Sequence, residues 1–205
     1  FLLKLKLTKI FKNKIKYMTI AGGKLEKSYL KEILKFTKKN NIKLYNMYGQ
    51  TEASPRISYL NPNFSLKKIG SIGKSIKNSK MWLTDKNKQV IKKPFREGEV
   101  NFQGPGVFQG YCSNYKELHY KKQQKILKTG DLAYYDKSGF FYITGRNNRI
   151  SKVQGIRINL DELQILMKKN LFNVVCKEID NKIKVFFCKN YNYKKLLSAL
   201  TNLTK

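Results

Sequence analysis

Long apolar runs are missing from the start of this 205-residue chain. Residues 1–20, FLLKLKLTKIFKNKIKYMTI, are interrupted by Lys too often for a membrane span or a signal-peptide core, so no membrane partner is expected. Cysteine is sparse. Cys112, Cys176 and Cys188 form an odd set without a CxxC pair, which argues against a zinc site and a disulfide framework and fits a reducing, cytoplasmic setting. His119, the single histidine, stands in a charged linker with no partner nearby in sequence and is expected to be solvated.

Acidic residues are few, 13 against 43 Lys and Arg, for a net charge of +30. Basic surfaces gain affinity for phosphate polymers by releasing counterions, so this imbalance raises a nucleic-acid-binding module or an anionic membrane as alternatives. The excess is almost all Lys, spread from Lys4 to Lys205 among Asn, Ile, Tyr and Phe, the mixture that an AT-rich coding bias places on solvated positions. Arg is the better bidentate reader of phosphate. It is scarce here, and Arg146, Arg149 and Arg157 cluster, so these three carry more weight than any Lys run. No RNA-binding signature with ordered aromatics accompanies the charge, and no specific nucleic-acid partner is expected.

What is present is a globular composition, 41% hydrophobic and 13% aromatic, enough for one domain or one domain with a small appendage. Residues 16–21 read as a strand ending at Gly22-Gly23. Leu25, Tyr29, Leu30, Ile33, Leu34 and Phe36 then recur at helical spacing, and Asn40-Asn41 closes the helix. A second strand, IKLYNMYG, leads into the polar turn Gln50-Thr51-Glu52. Strand, Gly turn, helix and strand make a βαβ-like unit. From Gly70 to Ile143 short apolar runs alternate with Gly, Asp, Asn and Pro turns, a pattern of β-hairpins forming a curled sheet or small barrel, with Lys137-Ser138-Gly139 as a hairpin turn. Beyond Gly145 a second α/β pattern begins: strands at RISKVQG and IRI, a helix LDELQILMKKN capped by Asn159 or Asp161, a hairpin from FNVVCKEI and KIKVFFCK, and a closing helix YKKLLSALTNLTK. A boundary is expected near Asn147 to Arg149.

Several short segments carry chemistry. Gly22-Gly23 is either a plain strand-to-helix turn or a place where backbone closely approaches a flat ligand. Tyr48-Gly49-Gln50-Thr51-Glu52 ends a strand, where open α/β sheets bind ligands. An aromatic face, a hydroxyl and a carboxylate there have the means to stack a base, meet a phosphate and hold Mg²⁺, which prefers carboxylates and phosphate oxygens. Thr129-Gly130-Asp131 is read as a turn entering a strand; its Asp is either a turn former or an acceptor for ribose hydroxyls. Gly145-Arg146 closes the hairpin layer with a guanidinium suited to a sugar or phosphate. Gly70-Ser71-Ile72-Gly73-Lys74-Ser75 mimics a P-loop, but two residues separate its glycines where the phosphate cradle needs four.

Taken in order, these segments resemble the acyl-adenylate-forming superfamily of acyl-CoA synthetases, nonribosomal adenylation domains and luciferases. NMYGQTEAS resembles the YGxTE motif, GEVNFQGPGVFQGY the segment running from GEL to GY, and KTGDLAYYDKSGFFYITGR the TGD motif leading to GR. ISKVQGIRINLDELQ resembles the opening of the family's mobile C-terminal domain. The match covers residues 16–165, and its wording is nearest to ligases found with bacterial surface-polysaccharide genes.

The resemblance implies an α/β (α+β) fold: the C-terminal part of the large AMP-binding domain over residues 1–146, then an incomplete small mobile domain over 147–205. It implies ATP-dependent activation of a small carboxylic acid to acyl-AMP, followed by transfer to the thiol of CoA or of phosphopantetheine on an acyl carrier protein. Tyr48 would stack on adenine with Gly22 and Gly23 opposite, beside Gly49. Thr51 would touch the α-phosphate, Glu52 hold Mg²⁺, Asp131 take the ribose hydroxyls and Arg146 assist it. Arg157 would approach the phosphate on closure, Asn148 occupy the hinge, and Gly155 let a pantetheine arm pass. A Ser/Thr/Gly-rich phosphate loop and a C-terminal Gly-Lys, both expected of the family, are not found in these residues. The expectation is therefore a fragment inactive alone, with a degenerate non-catalytic remnant as a further alternative.

Overall fold

The computed structural model describes residues 15–23, 25, 27–119, 126–153, 156–169, 174–180 and 182–187. The expected closing helix, Cys188 and Gly155 lie outside them, as do the side chains of His119 and Arg157. Two compact units divide the chain between Thr144 and Gly145.

In the first unit, β1 (Tyr17–Ile20) and β2 (Lys43–Tyr48) run parallel and are joined through α1 (Lys27–Lys39), the βαβ-like unit that the periodicity predicts. Leu30 and Leu34 on one helix face bury against Leu44, with Met18, Ile20 and Ile69 around them. The helix ends as Asn40-Asn41 foretells. Asn41 adopts the left-handed conformation, at φ 52°. The amides of Asn41 and Ile42 reach back to the carbonyls of Lys38 and Thr37, satisfying two carbonyls of the last turn.

β3 (Ser58–Leu60) and β4 (Lys74–Ser75) continue this sheet antiparallel, in the order β1-β2-β3-β4. A second sheet orders β5 (Lys80–Thr84), β6 (Gly98–Gln103), β7 (Leu127–Tyr135) and β8 (Phe141–Arg146). Backbone bonds from Ile72 to Phe141 and from Phe141 to Gly73 tie the two sheets together. These bonds place the P-loop mimic in a sheet junction. Apolar alternation on β6 buries Val100 and Phe102, and the core there gathers Ala53, Ile57, Leu83, Leu127 and Ala133.

The β7–β8 turn is held by Asp136. Its Oδ1 accepts the amides of Ser138 and Phe140, and Lys68 Nζ lies 2.7 Å from its Oδ2. Burial alone would raise the Asp136 pKa, but the Lys68 hydrogen bond, the two amides and the Lys68 charge outweigh it. The carboxyl is held below its ordinary 3.8. A depressed folded value means stability that is complete above 3.8 and lost as pH falls through the folded pKa. Asp136→Asn should therefore melt below the wild type by a constant gap down to about pH 5, and the gap should shrink below about pH 4. Thermal melts across pH check this; a gap that widens in acid would contradict the assignment.

The second unit holds the hairpin β9 (Ile150–Val153) and β10 (Ile156–Asn159), helix α2 (Leu160–Lys169) and the hairpin β11 (Val174–Ile179) and β12 (Lys182–Phe187). Leu160, Met167, Val174 and Cys176 form its core. Of the two caps foreseen, Asn159 serves: its Oδ1 accepts the amides of Asp161 and Glu162. Among the described residues no helix is long and apolar enough to cross a membrane.

Candidate functional site

The parallel register of β1 and β2 sets Ile20 beside Asn46, so the turn after β1 and the residues after β2 leave the same edge of the sheet. That edge, at the carboxyl ends of parallel strands, is where open α/β sheets hold ligands. Gly22 and Gly23 lie exposed there, with nothing within 4 Å of where a Cβ would stand.

At the end of β2 the chain reverses tightly. The Ile57 amide bonds the Tyr48 carbonyl, and Thr51–Ala53 forms one turn of 3₁₀ helix. Only glycine fits at position 49, because a Cβ would sit 1.8 Å from the Pro55 carbonyl oxygen. Thr51 is exposed and Glu52 half-buried on this turn, while Ala53 anchors it in the core. Tyr48 itself is half-buried, its ring packed against both core clusters of the second sheet.

Asp131 arrives from 83 residues further along, and its Oδ2 accepts a 2.7 Å hydrogen bond from the Tyr48 hydroxyl. It does not sit at a turn entering a strand, as the sequence reading has it. The Thr129-Gly130-Asp131 segment lies inside β7, where Glu99 pairs with Leu132 and Asn101 with Lys128. Val100 thus faces all three residues, a bulge, and Gly130 takes the positive φ of 72° that the bulge demands. Thr129 Oγ1 locks the distortion by donating to the Val100 carbonyl and accepting from the Asp131 amide. The bulge re-aims Asp131 toward Tyr48 and leaves it 3% exposed.

Glu52 gains a partner that sequence reasoning did not single out. The hydroxyl of Tyr111, an 81% exposed side chain, donates to Glu52 Oε1. That hydrogen bond is the chief cause of an upward shift in the Tyr111 pKa, with burial and the Glu52 charge adding to it. The same segment docks through its backbone: the Phe108 amide bonds the Glu52 carbonyl, and Ser54 Oγ bonds the Gly106 carbonyl. The GPGVFQGY string is recognisable in sequence as a motif, but nothing in it reveals which residue it meets.

Arg146 is exposed at the end of β8, in the second unit. The expectation that Arg149 belongs to a phosphate-reading cluster is corrected. Its guanidinium donates to Asp161 Oδ1, Gln164 Oε1 and the Cys176 carbonyl, which staples the small unit together. Gln164 Oε1 also accepts the Cys176 amide. Asn148 lies on a short 3₁₀ turn, Asn147–Arg149. Arg157 falls within β10.

Among the described residues no three His, Cys, Asp or Glu side chains converge for a metal. On the Tyr48–Glu52 edge, Thr51 offers a hydroxyl and Glu52 one carboxylate. That set suits a hard cation that takes one or two carboxylates and completes its shell with substrate phosphate and water, as Mg²⁺ does.

The family described as AMP-binding enzyme matches residues 2–112. A 2-succinylbenzoate–CoA ligase of Oceanobacillus iheyensis is 32% identical over 157 residues, covering 75% of this chain and 30% of that protein. Two structures of o-succinylbenzoate CoA synthetase from Bacillus subtilis, one with ATP and magnesium ion and one with the acyl-adenylate intermediate, superpose with TM-scores of 0.69 and 0.70. Both are 24% identical, and each comparison covers 97% of this chain and 42% of the other. They establish the mixed α/β fold of adenylate-forming enzymes. None of these is named for the polysaccharide-associated ligases to which the NMYGQTEAS wording points. The chain spans about 30% of the length of the curated relative.

Proposed function

The chain belongs to the AMP-binding enzyme family, and from that premise we propose that it carries the adenylate side of an ATP-dependent, carboxylate-activating ligase. The observation that supports this reading is the 2.7 Å bond between Tyr48 and Asp131, which joins the YGQTE and TGD segments at the end of β2. Residues 1–146 are then the end of the large domain and 147–205 its small partner domain.

In this reading the Tyr48 ring stacks on adenine, with Gly22 and Gly23 leaving room for the flat base and Gly49 holding the tight turn against Pro55 beside it. Asp131 accepts the ribose hydroxyls. Its low exposure means that a ligand must exchange hydrogen bonds rather than add them, so the ribose takes the place of the Tyr48 hydroxyl on Oδ2. Thr51 would donate to the α-phosphate, and Glu52 would hold a Mg²⁺ that, when bound, would supply charge to offset the phosphates. The acid attacks the α-phosphorus in line and pyrophosphate leaves, a step helped chiefly by positioning and by neutralising developing charge. Arg146 assists Asp131 at the ribose, Arg157 of the small domain approaches the phosphate, and a CoA or carrier-protein thiol, passing Gly155, attacks the acyl carbonyl so that AMP leaves. The acid named by the relatives, 2-succinylbenzoate, is the first to test.

Calorimetry with AMP, GMP and a stable acyl-sulfamoyl-adenosine checks the reading. Binding of the acyl mimic more tightly than AMP, with GMP weaker than both, is expected. Equal binding of all three, or none, would count against an adenylate site.

A further inference from the structure

Resting on the proposed role of Glu52, we infer that Tyr111 is a positioning residue that fixes the Glu52 carboxylate for a divalent cation. A tyrosine ring 81% exposed gains little from burial. What orders it is the hydrogen bond from its hydroxyl to Glu52 Oε1 and an edge-to-face contact with Phe108, centroids 5.0 Å apart. Phe108 in turn packs on the core cluster of Ala53, Ile57 and Phe102, so the exposed ring stands on a buried footing.

The segment around Tyr111 grips the Glu52 turn at three points. The Phe108 amide holds the Glu52 main chain at 2.9 Å, Ser54 Oγ holds Gly106 at 2.9 Å, and Tyr111 holds the carboxylate itself. A Glu side chain otherwise rotates about three bonds and loses that freedom when it binds a cation. A donor on Oε1 sets the plane of the carboxylate before the cation arrives, and so sets the direction that Oε2 faces. Donors that orient a metal-binding carboxylate typically change metal affinity by about 10- to 100-fold. The exposure of Tyr111 places it at the lower end.

The test follows Mn²⁺ by electron paramagnetic resonance as it binds the chain in saturating α,β-methylene-ATP, alongside AMP binding without metal. Tyr111→Phe should raise the apparent Mn²⁺ dissociation constant about tenfold and leave metal-free AMP affinity within about twofold. In a Glu52→Gln background the same change should add nothing, because the carboxylate it orients is gone. An unchanged Mn²⁺ constant, an equal loss of metal-free AMP binding, or a full effect of Tyr111→Phe in the Glu52→Gln background would each overturn the inference and leave the proposed site standing. A wild-type chain that binds no nucleotide would overturn both.

Discussion

Asp131→Ala is expected to weaken binding of AMP and of an acyl-adenylate mimic by about 100-fold or more. Two charge-assisted hydrogen bonds to ribose hydroxyls, at about 1.5 kcal/mol each, amount to about 3 kcal/mol, and each 1.4 kcal/mol is about tenfold. Asp131 is 3% exposed and bonded to Tyr48, so the substitution also removes this hydrogen bond and opens a small cavity. Tyr48→Phe separates the two effects. It breaks the same 2.7 Å bond but keeps the ring. If ribose displaces the Tyr48 hydroxyl on binding, Tyr48→Phe should hold adenylate affinity within a few-fold, whereas Tyr48→Ala should lose stacking worth about 1–3 kcal/mol. Calorimetric titration of the three variants decides. Retention of wild-type affinity by Asp131→Ala would remove Asp131 from the site.

The second large effect is on the fold that carries the site. Gly49→Ala would place a Cβ 1.8 Å from the Pro55 carbonyl oxygen and 2.6 Å from its carbon. Neither atom is the end of a flexible side chain, so the backbone between Tyr48 and Ile57 must shift. Forcing atoms into a packed region costs about 1–3 kcal/mol and occasionally more, and this clash belongs at the upper end. For a chain of this size about 3 kcal/mol corresponds to a fall in Tm of about 6–12 °C. The displaced turn carries Thr51 and Glu52, so nucleotide binding should fall with stability. Gly22→Ala is the contrast, since its Cβ would meet nothing within 4 Å. Its φ of 90° still disfavours alanine, so a small loss of stability is expected. Thermal melts of both variants check the ordering; a Gly49→Ala protein as stable as Gly22→Ala would contradict the close approach at Pro55.

Much of this architecture was legible because local signals agreed with one another. Leu30, Ile33 and Leu34 at helical spacing, an Asn pair at the helix end, and a strand on either side are enough to give β1, α1 and β2. The turn at Asp136 announces itself through Lys137-Ser138-Gly139. Of the candidate site, the sequence singles out Tyr48 to Glu52 and Asp131 separately by their residue types, and the structure joins the two segments through the Tyr48–Asp131 hydrogen bond.

What stayed hidden were the contacts across long sequence separations. A bulge in β7 depends on the register against β6, and no feature of KTGDLAYY alone distinguishes it from a turn before a strand. Tyr111 meets Glu52 across 59 residues, and only the docking of Phe108 and Gly106 on the 3₁₀ turn brings them together. Arg149 shows the opposite failure. Scarcity made three arginines look like one cluster, yet the small unit uses this one to tie Asp161, Gln164 and the β11 backbone. The Lys excess leaves no mark on the described core, since among the described residues the buried side chains are apolar or small and polar apart from two aspartates.

A structure of this chain bound to an acyl-sulfamoyl-adenosine tests the central claim most directly. The ribose hydroxyls are expected within hydrogen-bonding distance of Asp131, the adenine against the Tyr48 ring beside Gly22 and Gly23, and the Tyr48 hydroxyl released from Oδ2. A ligand held elsewhere, with the Tyr48–Asp131 bond intact, would contradict it.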